Sequence, residues 1–528
     1  MKNLFIKPEL KEDLGASIAV FLVAIPLCLG IAHASGAPLL SGIIAGIVGG
    51  IIVGFLSGSH LSVSGPAAGL TAIVIASLEE LKVLSSQGIM PYNAFLAALF
   101  IAGIIQILLG IFKAGIVSEY IPSSIIKGLL AAIGIILILK QFPHVLGYDI
   151  EQFGVEEFSL TPLDMESDVK ESNTLTLFFH SLFFVNVGVF CIGVGSIAFL
   201  VFWNKTFAKK LPMIPGSLVV VLLGTLMNSL YGVFMPQLSL EKSHLVHIPE
   251  FGSIAGLFSS TGFPDFKSFS NLLVYKIGFV IAIVASIETL LSVEAIDKLD
   301  PENRNTPVDQ ELVAQGIGNS LCAFLGGLPI TSVIVRSSVN LSAGGKTKFS
   351  AIIHGVFMLL FVLFLPFVLN KIPLATLAAI LCYTGFKLTD PKIYMDLYKK
   401  GYTQFIPFVV TAIAIVLTDI LIGIIIGSVV VAFFILKDVF DSPAVKVLES
   451  GDFTKILLGE NLTFLHKAKI WEILKKIPDG NRVIIDGTNN LYVHYDILEL
   501  FQEFCHQAKG RKLLIEFISV KGFDEKNP

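Results

Sequence analysis

This chain has few charged residues: Asp, Glu, Lys and Arg make up 15% of its 528 residues, against about 25% in an average soluble protein. Hydrophobic residues make up 54%, and the mean hydropathy is +0.80. This composition excludes an ordinary soluble enzyme and indicates a polytopic membrane protein. The formal net charge is −4, so the chain has no basic excess to attract nucleic acid, and no such partner is expected.

Cysteine is also scarce, and the five cysteines lie too far apart for a CxxC pair or a metal-ligand spacing. Four of them lie in apolar segments, where we expect them to pack as small hydrophobic side chains. The sequence has no nucleophile elbow, no Walker A motif and no Rossmann fingerprint. We therefore expect that the protein is not an enzyme and binds no cofactor. Without an ATP site, any transport has to be secondary active transport.

The chain instead contains a series of apolar segments of helical length between residues 14 and 437. We predict fourteen membrane segments, of which segments 3 and 10 are half-helices. In chain order they cover residues 14–33, 37–57, 65–78, 93–112, 122–141, 178–203, 213–233, 272–296, 309–325, 333–343, 348–370, 373–387, 403–418 and 420–437. Asp419 marks a turn between the last two; one long span followed by a re-entrant piece is the alternative.

The distribution of lysine and arginine predicts the orientation of these segments. Lys113 and Lys127, and later Lys298 and Arg304, fall in loops on the same side as the lysine-containing N-terminus, whereas residues 142–177 on the other side carry eight acidic residues and one lysine. Loops rich in lysine and arginine remain in the cytoplasm. We therefore expect a multi-pass protein of the inner (plasma) membrane with both termini cytoplasmic.

Residues 326–340 cannot form one ordinary spanning helix, because two glycines and a proline interrupt them. Non-helical backbone at membrane depth is tolerated only where it is buried in protein or lines a polar cavity. A half-helix starting near Ser332 would direct its free N–H groups and positive dipole end at that cavity, which suits an anion. Arg336 would add positive charge; the alternatives are an ion pair with Glu288 or a side chain that reaches the membrane surface.

A second interrupted stretch, residues 61–69, precedes segment 3. It lies seven segments before the interrupted stretch 326–340, which precedes segment 10. Interrupted segments at corresponding positions of two halves indicate a transport site. Because seven is an odd number, the two halves are expected to be inverted in the membrane. Ser64 would offer its hydroxyl and the following residues their N–H groups to an anion, although tight helix packing also explains these glycines.

Glu288 lies inside segment 8, where a carboxylate at membrane depth is costly and suggests a functional site. Ser292 is four residues further on and therefore shares a helical face with Glu288. The pair could supply oxygen ligands to Na⁺, or a carboxyl group that takes up H⁺. The alternative is a structural hydrogen bond to a neighbouring helix.

The C-terminal part of the chain differs from the rest. Alternating strand and helix patterns, which begin near residue 455 and end near residue 517, predict a small α/β domain. The predicted organisation is a cytoplasmic N-terminus (1–13), a transmembrane domain (14–437), a linker (438–451) and the α/β domain (452–528).

Four sequence blocks, taken together and in order, resemble the SulP (sulfate permease) family of inorganic anion transporters. They are Val23–Pro26, Ser62–Pro66, the block around Glu288, and Pro329–Asn340 followed by Gly344–Thr347. The resemblance covers nearly the whole chain. The tail resembles a STAS domain through residues 483–488 and Asp496. The usual STAS fold continues beyond this length, so a shortened domain is expected.

The resemblance implies an all-α membrane domain of two inverted repeats of seven segments, with the small cytoplasmic α/β domain attached. Segments 1–4 and 8–11 would form a core domain that moves against a gate domain of segments 5–7 and 12–14. A homodimer is also implied, together with contact with membrane lipid.

The resemblance also implies an anion bound between the starts of half-helices 3 and 10. The backbone expected to face the anion is that of Ala67, Ala68, Ser332, Val333 and Ile334. Glu288 corresponds to the carboxylate of segment 8, and Ser292 to its cation-binding hydroxyl partner. The Na⁺-coupled bicarbonate branch commonly has Asp at the position of Glu288 and Thr at that of Ile334. The missing threonine hydroxyl weakens the prediction of Na⁺ coupling and leaves H⁺ coupling through Glu288, with Na⁺ as the other candidate ion.

The sequence thus predicts a secondary transporter of bicarbonate or sulfate that works by elevator-type alternating access, by H⁺ or Na⁺ coupling or by anion exchange. The alternatives are an anion channel or motor-like protein of the same fold, a STAS-linked sensor without flux, and a nucleobase or dicarboxylate permease. A nucleobase permease is expected to have a second acidic residue near half-helix 10, where this chain has Arg336. A functional link to a carbonic anhydrase would favour bicarbonate.

Overall fold

The computed structural model describes residues 8–87, 89–151, 153, 173–207, 214–247, 262–441, 445–450 and 453–523. The chain divides into two compact units, Met1–Ser428 and Val429–Pro528. The helices up to residue 441 are α1 Pro8–Ala34, α2 Leu39–Leu56, α3 Thr71–Leu81, α4 Pro91–Ile111, α5 Ser123–Leu146, α6 Thr174–Ser181, α7 Val187–Thr206, α8 Gly216–Phe234, α9 Leu272–Asp297, α10 Val308–Leu325, α11 Ile334–Ser342, α12 Phe349–Phe364, α13 Pro366–Leu369, α14 Leu374–Leu388, α15 Pro391–Lys399, α16 Tyr402–Leu417 and α17 Ile420–Asp441.

Eight helices in the described part of the chain are long and apolar enough to cross a membrane. They are α1, α2, α4, α5, α7, α8, α9 and α17. Helices α12 and α16 are apolar but shorter. The chain is therefore a multi-pass membrane protein, while the count of fourteen segments stays a prediction.

Two predicted segments are divided in the structure. Segment 6, predicted from residue 178, is interrupted between α6 and α7, because the Asn186 side chain accepts hydrogen bonds from the first N–H groups of α7 and so sets a new helix start. Segment 11 is divided after α12, where Pro366 begins the short helix α13, since a proline has no N–H with which to continue the preceding helix. The turn predicted at Asp419 is confirmed, because α16 ends at Leu417 and α17 begins at Ile420.

The two interrupted stretches come together as a short antiparallel ribbon in the middle of the first unit. Strand β1 (Ser64–Pro66) pairs with strand β2 (Ile330–Ser332), with Ser64 opposite Ser332 and Pro66 opposite Ile330. Both strands are fully buried. The ribbon satisfies backbone groups that membrane lipid could not, so each stretch can remain extended at membrane depth.

One face of α10 holds this ribbon through side chains spaced four residues apart. Gln315 Nε2 donates to Ser64 Oγ at 2.6 Å and to Glu311 Oε1 at 2.9 Å. The amide of Asn319 donates to the carbonyl of Ile330 at 3.0 Å and accepts from its N–H at 2.7 Å. All three α10 side chains are 0% exposed, so the position of the ribbon depends on buried hydrogen bonds that water does not replace.

The second unit contains a four-stranded sheet in the order β3-β4-β6-β8. Its elements are β3 Val445–Ser450, β4 Phe453–Leu458, β5 Asn461–Leu462, α18 Lys467–Lys476, β6 Arg482–Asp486, β7 Tyr492–Val493, α19 Tyr495–Arg511 and β8 Leu514–Ile518. Strand β3 is antiparallel to β4, and the other pairings in this sheet are parallel. The alternation of strands and helices agrees with the prediction, although β3 lies within the stretch predicted as a linker.

Candidate functional site

Each strand of the ribbon leads directly into a helix start. Ala67 (φ −114°, ψ 139°) and Val333 (φ −115°, ψ 117°) have nearly the same extended conformation. After Ala67, a 3-10 turn over Ala68–Leu70 precedes α3. After Val333, helical bonding begins with Ser337 N donating to Val333 O at 3.1 Å. The first N–H groups of a helix lack acceptors within it and carry its positive dipole end, so two such ends lie at matching positions of the ribbon.

Both helix starts line one central cavity of about 350 Å³. Five elements form its wall: the starts of α3 and α11, the middle of α5 and of α9, and the turn between α16 and α17. The lining residues are Ala68, Gly69, Ala72, Ile73, Ile133, Ile136, Leu137, Val284, Ile287, Glu288, Leu291, Ser292, Val333, Ile334, Val335, Ile415, Thr418, Asp419, Ile420 and Leu421. The wall is mostly aliphatic, which strengthens the effect of the few polar groups in it.

Glu288 and Ser292 lie on α9 and both line the central cavity. A Cβ added at Gly69 would lie 3.0 Å from Glu288 Oε1, so the absence of a side chain at Gly69 allows the carboxylate to approach the start of α3. The carboxylate and hydroxyl oxygens are hard ligands of the kind that alkali and alkaline-earth cations prefer. The described residues contain no group of three or more His, Cys, Asp or Glu side chains arranged to hold a metal ion.

Ser64 and Ser332 are part of the ribbon and do not line the central cavity. Ser64 Oγ accepts from Gln315. Ser332 Oγ hydrogen-bonds to Ser62 Oγ at 2.5 Å, and its N–H donates to Thr289 Oγ1 at 3.3 Å. Both hydroxyls therefore support the backbone that carries the helix starts.

Arg336 lies outside the cavity lining and is 0% exposed. Its Nη2 donates to Cys28 Sγ at 3.3 Å and to Pro66 O at 3.5 Å. The guanidinium packs against Gly65 in β1, since a Cβ added there would lie 2.0 Å from Nη1. Arg336 thus places a buried positive charge against the ribbon. This charge makes the electrostatic potential at both helix starts more positive without contacting the cavity.

The structure therefore brings five predicted site residues to the central cavity and places four outside its lining. Those at the cavity are Ala68, Glu288, Ser292, Val333 and Ile334. Those outside the lining are Ser64, Ala67, Ser332 and Arg336.

Sequence reasoning missed the hydrogen-bonding face of α10 and the side chains at the α16–α17 turn. Glu311, Gln315 and Asn319 recur at four-residue intervals in this segment, and this helical period was the signal that could have revealed them. The sequence predicts only a turn at Asp419, yet Asp419 and Thr418 line the cavity. Whether these two side chains line the cavity depends on how the two halves of the domain pack together, which a local sequence pattern does not predict.

Comparison with known proteins identifies the family of this chain. The Sulfate permease family profile matches residues 10–414. The candidate sulfate transporter YvdB of Bacillus subtilis is 25% identical over 435 residues, which are 81% of this chain and 74% of that protein. The bicarbonate transporter BicA of Picosynechococcus is 24% identical over 382 residues, which are 72% of this chain and 62% of that protein.

The fold is also similar to a solved structure. The overall structure of SLC26A9 superposes with a TM-score of 0.64 at 17% identity, covering 98% of this chain and 85% of that one. The family match covers well over half of the chain and includes the ribbon, both helix starts and Glu288. The chain therefore belongs to the sulfate permease family of membrane anion transporters.

Proposed function

We propose that the protein is a secondary active transporter of a small inorganic oxyanion, bicarbonate or sulfate, and that the anion binds in the central cavity between the starts of α3 and α11. The observation that carries this proposal is the meeting of two helix starts and the Glu288 carboxylate in a single cavity. One of the two relatives is named as a sulfate transporter and the other as a bicarbonate transporter, which supports both candidate substrates.

Binding would depend on the backbone. Val333 and Ile334 line the cavity but have no side-chain donors, so the N–H groups and dipoles of the two helix starts would hold the anion. Arg336, packed against β1, would add positive potential from behind the ribbon. Such a site recognises charge and size more than a particular oxyanion, and bicarbonate and sulfate therefore both remain candidates.

Glu288 and Ser292 would couple the anion to a cation. An ionised Glu288 in the same cavity repels an anion, and this repulsion ends when the carboxylate takes up H⁺ or when Na⁺ binds between Glu288 and Ser292. Anion and cation would therefore raise each other's affinity by the same factor. Anion exchange would instead move one anion in each direction without net cation movement.

The make-up of the cavity wall supports elevator-type alternating access. Helices α3, α9 and α11 correspond to predicted core segments, and α5, α16 and α17 to predicted gate segments. The central cavity is lined from both groups, so sliding of the core along the gate would carry the anion from one side of the membrane to the other. We retain the fourteen-segment topology, the plasma-membrane location, the cytoplasmic termini, the homodimer and the link to a carbonic anhydrase as parts of this proposal.

Uptake of labelled sulfate and bicarbonate into proteoliposomes tests the function. We expect uptake that depends on a H⁺ or Na⁺ gradient and that Glu288→Gln abolishes. Glu294→Gln is the matched control on the same helix, because Glu294 pairs with Lys298 at 3.1 Å and is not among the residues that line the cavity. Currents that flow without any gradient dependence and persist in Glu288→Gln would show a channel and overturn the proposal.

Competition experiments would then identify the substrate and the coupling ion. Labelled uptake is measured against unlabelled bicarbonate, sulfate, fumarate and chloride, at several pH values, with and without Na⁺. Strong competition by fumarate alone would support a dicarboxylate permease instead of a transporter of inorganic anions.

A further inference from the structure

A second cavity, of about 360 Å³, lies apart from the central one, and the proposed function does not use it. Its wall combines parts of α1, α7, α8, α11 and α14 with the loop after α11. The lining residues are Glu12, Ala19, Leu200, Trp203, Asn204, Ile214, Pro215, Gly216, Ser217, Val339, Ser342, Ala343, Gly344, Lys346, Ile380, Tyr383 and Thr384. This wall has both a polar and an apolar part.

The loop Gly344–Thr347, which is part of the fourth sequence block, contributes Gly344 and Lys346 to the wall of the second cavity. Gly344, the second residue after α11, adopts φ +93°, a conformation that ends the helix. Asp13, itself 0% exposed, accepts from the backbone N–H groups of Lys346 at 2.8 Å and Thr347 at 2.9 Å. Lys346 Nζ pairs with Glu12 at 2.6 Å. The ammonium group is therefore held in place by α1 and by its own loop.

The part of the wall formed by α7 and α8 carries two hydrogen-bond donors that have no acceptor among the described residues. They are the hydroxyl of Ser217, which is 7% exposed, and the indole N–H of Trp203. The Trp203 ring is held in place by Phe199 and Phe207, at centroid distances of 5.6 Å and 5.2 Å. A buried donor without an acceptor destabilises the fold, and an acceptor supplied by a ligand would remove that cost.

We propose that the second cavity binds the oxyanion group of an amphipathic ligand, with Ser217, Trp203 and Lys346 holding the oxyanion and the aliphatic wall of Leu200, Ile214 and Ile380 holding an apolar chain. The oxyanion competes with Glu12 for Lys346. Two sources share this chemistry, the phosphate of an anionic phospholipid and a soluble organic phosphate or carboxylate. The site lies apart from the central cavity, and the proposal goes beyond the proposed function.

The location of the site also predicts its effect on transport, and this step rests on the proposed function. Helices α1 and α11 correspond to core segments, whereas α7, α8 and α14 correspond to gate segments. A ligand that joins Lys346 on the first group to Ser217 on the second opposes sliding between them. Occupancy of the second cavity therefore slows transport without competing with the anion.

Trp203 provides a direct test of binding, because the only other tryptophan is Trp471. Trp471→Phe protein is titrated in a non-ionic detergent with hexyl phosphate, with dihexanoyl phosphatidylglycerol, and with hexanol as a probe that lacks the oxyanion. We expect a saturable change in Trp203 emission with one or both anionic probes and none with hexanol at the same concentrations. The tighter of the two anionic probes identifies the source.

Variants in the same background decide which groups bind the probe. Ser217→Ala and Lys346→Met are each expected to weaken binding at least about tenfold, and Glu12→Gln is expected to strengthen it. Ser229→Ala is the matched control on α8, because its exposed hydroxyl donates to Thr225 O. Monodisperse elution on gel filtration shows that each variant is folded.

An unchanged emission spectrum with both anionic probes overturns the proposal, as does equal affinity in Ser217→Ala, Lys346→Met and the parent. In proteoliposomes, the tighter probe should lower the maximum uptake rate of the parent but not of Ser217→Ala. If the parent shows no uptake at all, the proposed function fails, while the emission titration still decides the binding site.

Discussion

At the scale of single residues, two glycines control how closely charged groups approach the backbone of the site. Gly65 leaves room for the guanidinium of Arg336, and Gly69 leaves room for the carboxylate of Glu288. Neither glycine has a positive φ, so both are required for space and not for backbone conformation. The absence of a side chain at Gly65 and at Gly69 therefore determines how closely Arg336 and Glu288 approach the two helix starts.

Substituting Gly69 is expected to disturb coupling before it disturbs folding. The added methyl of Gly69→Ala lies 3.0 Å from Glu288 Oε1 and displaces the carboxylate by a few tenths of an ångström. We expect the half-saturating concentration of the coupling cation to rise severalfold, and Gly69→Val to abolish uptake. Gly195→Ala is the control, because nothing lies within 4 Å of its added Cβ. Equal cation dependence in Gly69→Ala and Gly195→Ala contradicts this prediction.

At the scale of elements, the ribbon and α10 form one hydrogen-bonded assembly. Asn319 pairs with both backbone groups of Ile330 and also donates to Gln106 Oε1 at 2.7 Å. Short strands in a membrane domain cannot obtain these hydrogen bonds from lipid. The position of β2, and with it the start of α11, depends on α10.

Asn319→Leu is expected to destabilise the membrane unit. The substitution leaves the N–H and C=O of Ile330 without their partner, at a cost of about 1–3 kcal/mol for each buried group. We expect a lower thermal unfolding midpoint in detergent and a large loss of uptake. Ser320→Ala, the neighbouring position on α10, removes only a bond to Gly316 O and serves as the control. If both variants unfold at the parent's temperature, the hydrogen bonds of Asn319 do not position the ribbon.

A second long-range contact joins the end of α5 to the loop after α8. Asp149, with its side chain 4% exposed, hydrogen-bonds to His144 Nδ1 and, at 2.5 Å, to His244 Nδ1. The hydrogen bond to Asp149 raises the pKa of His244 above 6.5, although burial opposes the shift. Burial would raise the pKa of Asp149, but its bonds to the two histidines outweigh this effect and lower it below 3.8. Together these side chains form an Asp149 clasp.

The clasp predicts a particular dependence of stability on pH. The contribution of His244 is complete below its unfolded pKa of 6.5 and is lost as pH rises through its raised folded pKa. That of Asp149 is complete above its unfolded pKa of 3.8. The difference in thermal midpoint between the parent and His244→Asn should be largest near about pH 5.5 and smaller at about pH 9. The exposed His180 gives the control His180→Asn, and a difference that grows with pH contradicts the prediction.

At the scale of the whole molecule, the two units have separate hydrophobic cores. That of the second unit is formed by the sheet together with α18 and α19. Its fully buried side chains include Ile470, Val483, Ile485, Ile497 and Phe501. A unit with its own core can unfold separately from the membrane unit.

Phe501→Ala is expected to destabilise the second unit alone. Phe501 is 0% exposed, and truncation of a buried phenylalanine costs about 3–5 kcal/mol. We expect limited proteolysis to cleave the tail at a lower temperature while anion uptake remains measurable. Phe464→Ala, at a position 55% exposed, is the control. Complete loss of uptake in Phe501→Ala would show that the membrane unit requires a folded tail.

The sequence by itself determined the membrane class, the two interrupted stretches and the position of Glu288 and Ser292 on one face of a membrane helix. The high share of hydrophobic residues and the low share of charged residues directly indicate segments buried in lipid. A glycine or proline break and a carboxylate inside an apolar segment are local signals, and they marked the start of half-helix 10 and Glu288. That Val333 and Ile334 face the same site as Glu288 was implied by the family resemblance. The helix interruptions at Asn186 and Pro366 were not predicted. A capping side chain or a proline acts on only a few residues, whereas the hydrophobic pattern that predicts a membrane segment continues across both positions.

Only the tertiary structure decided which predicted groups line the central cavity. Ser64 and Ser332 are adjacent in sequence to the helix starts, yet their hydroxyls bond to Gln315 and Ser62, because β1 and β2 pair with each other and pack on α10. Arg336 faces Gly65, outside the cavity lining. The direction of a side chain at a strand–helix junction depends on its pairing partner, which comes from a segment more than 250 residues away and is therefore not encoded in the local pattern.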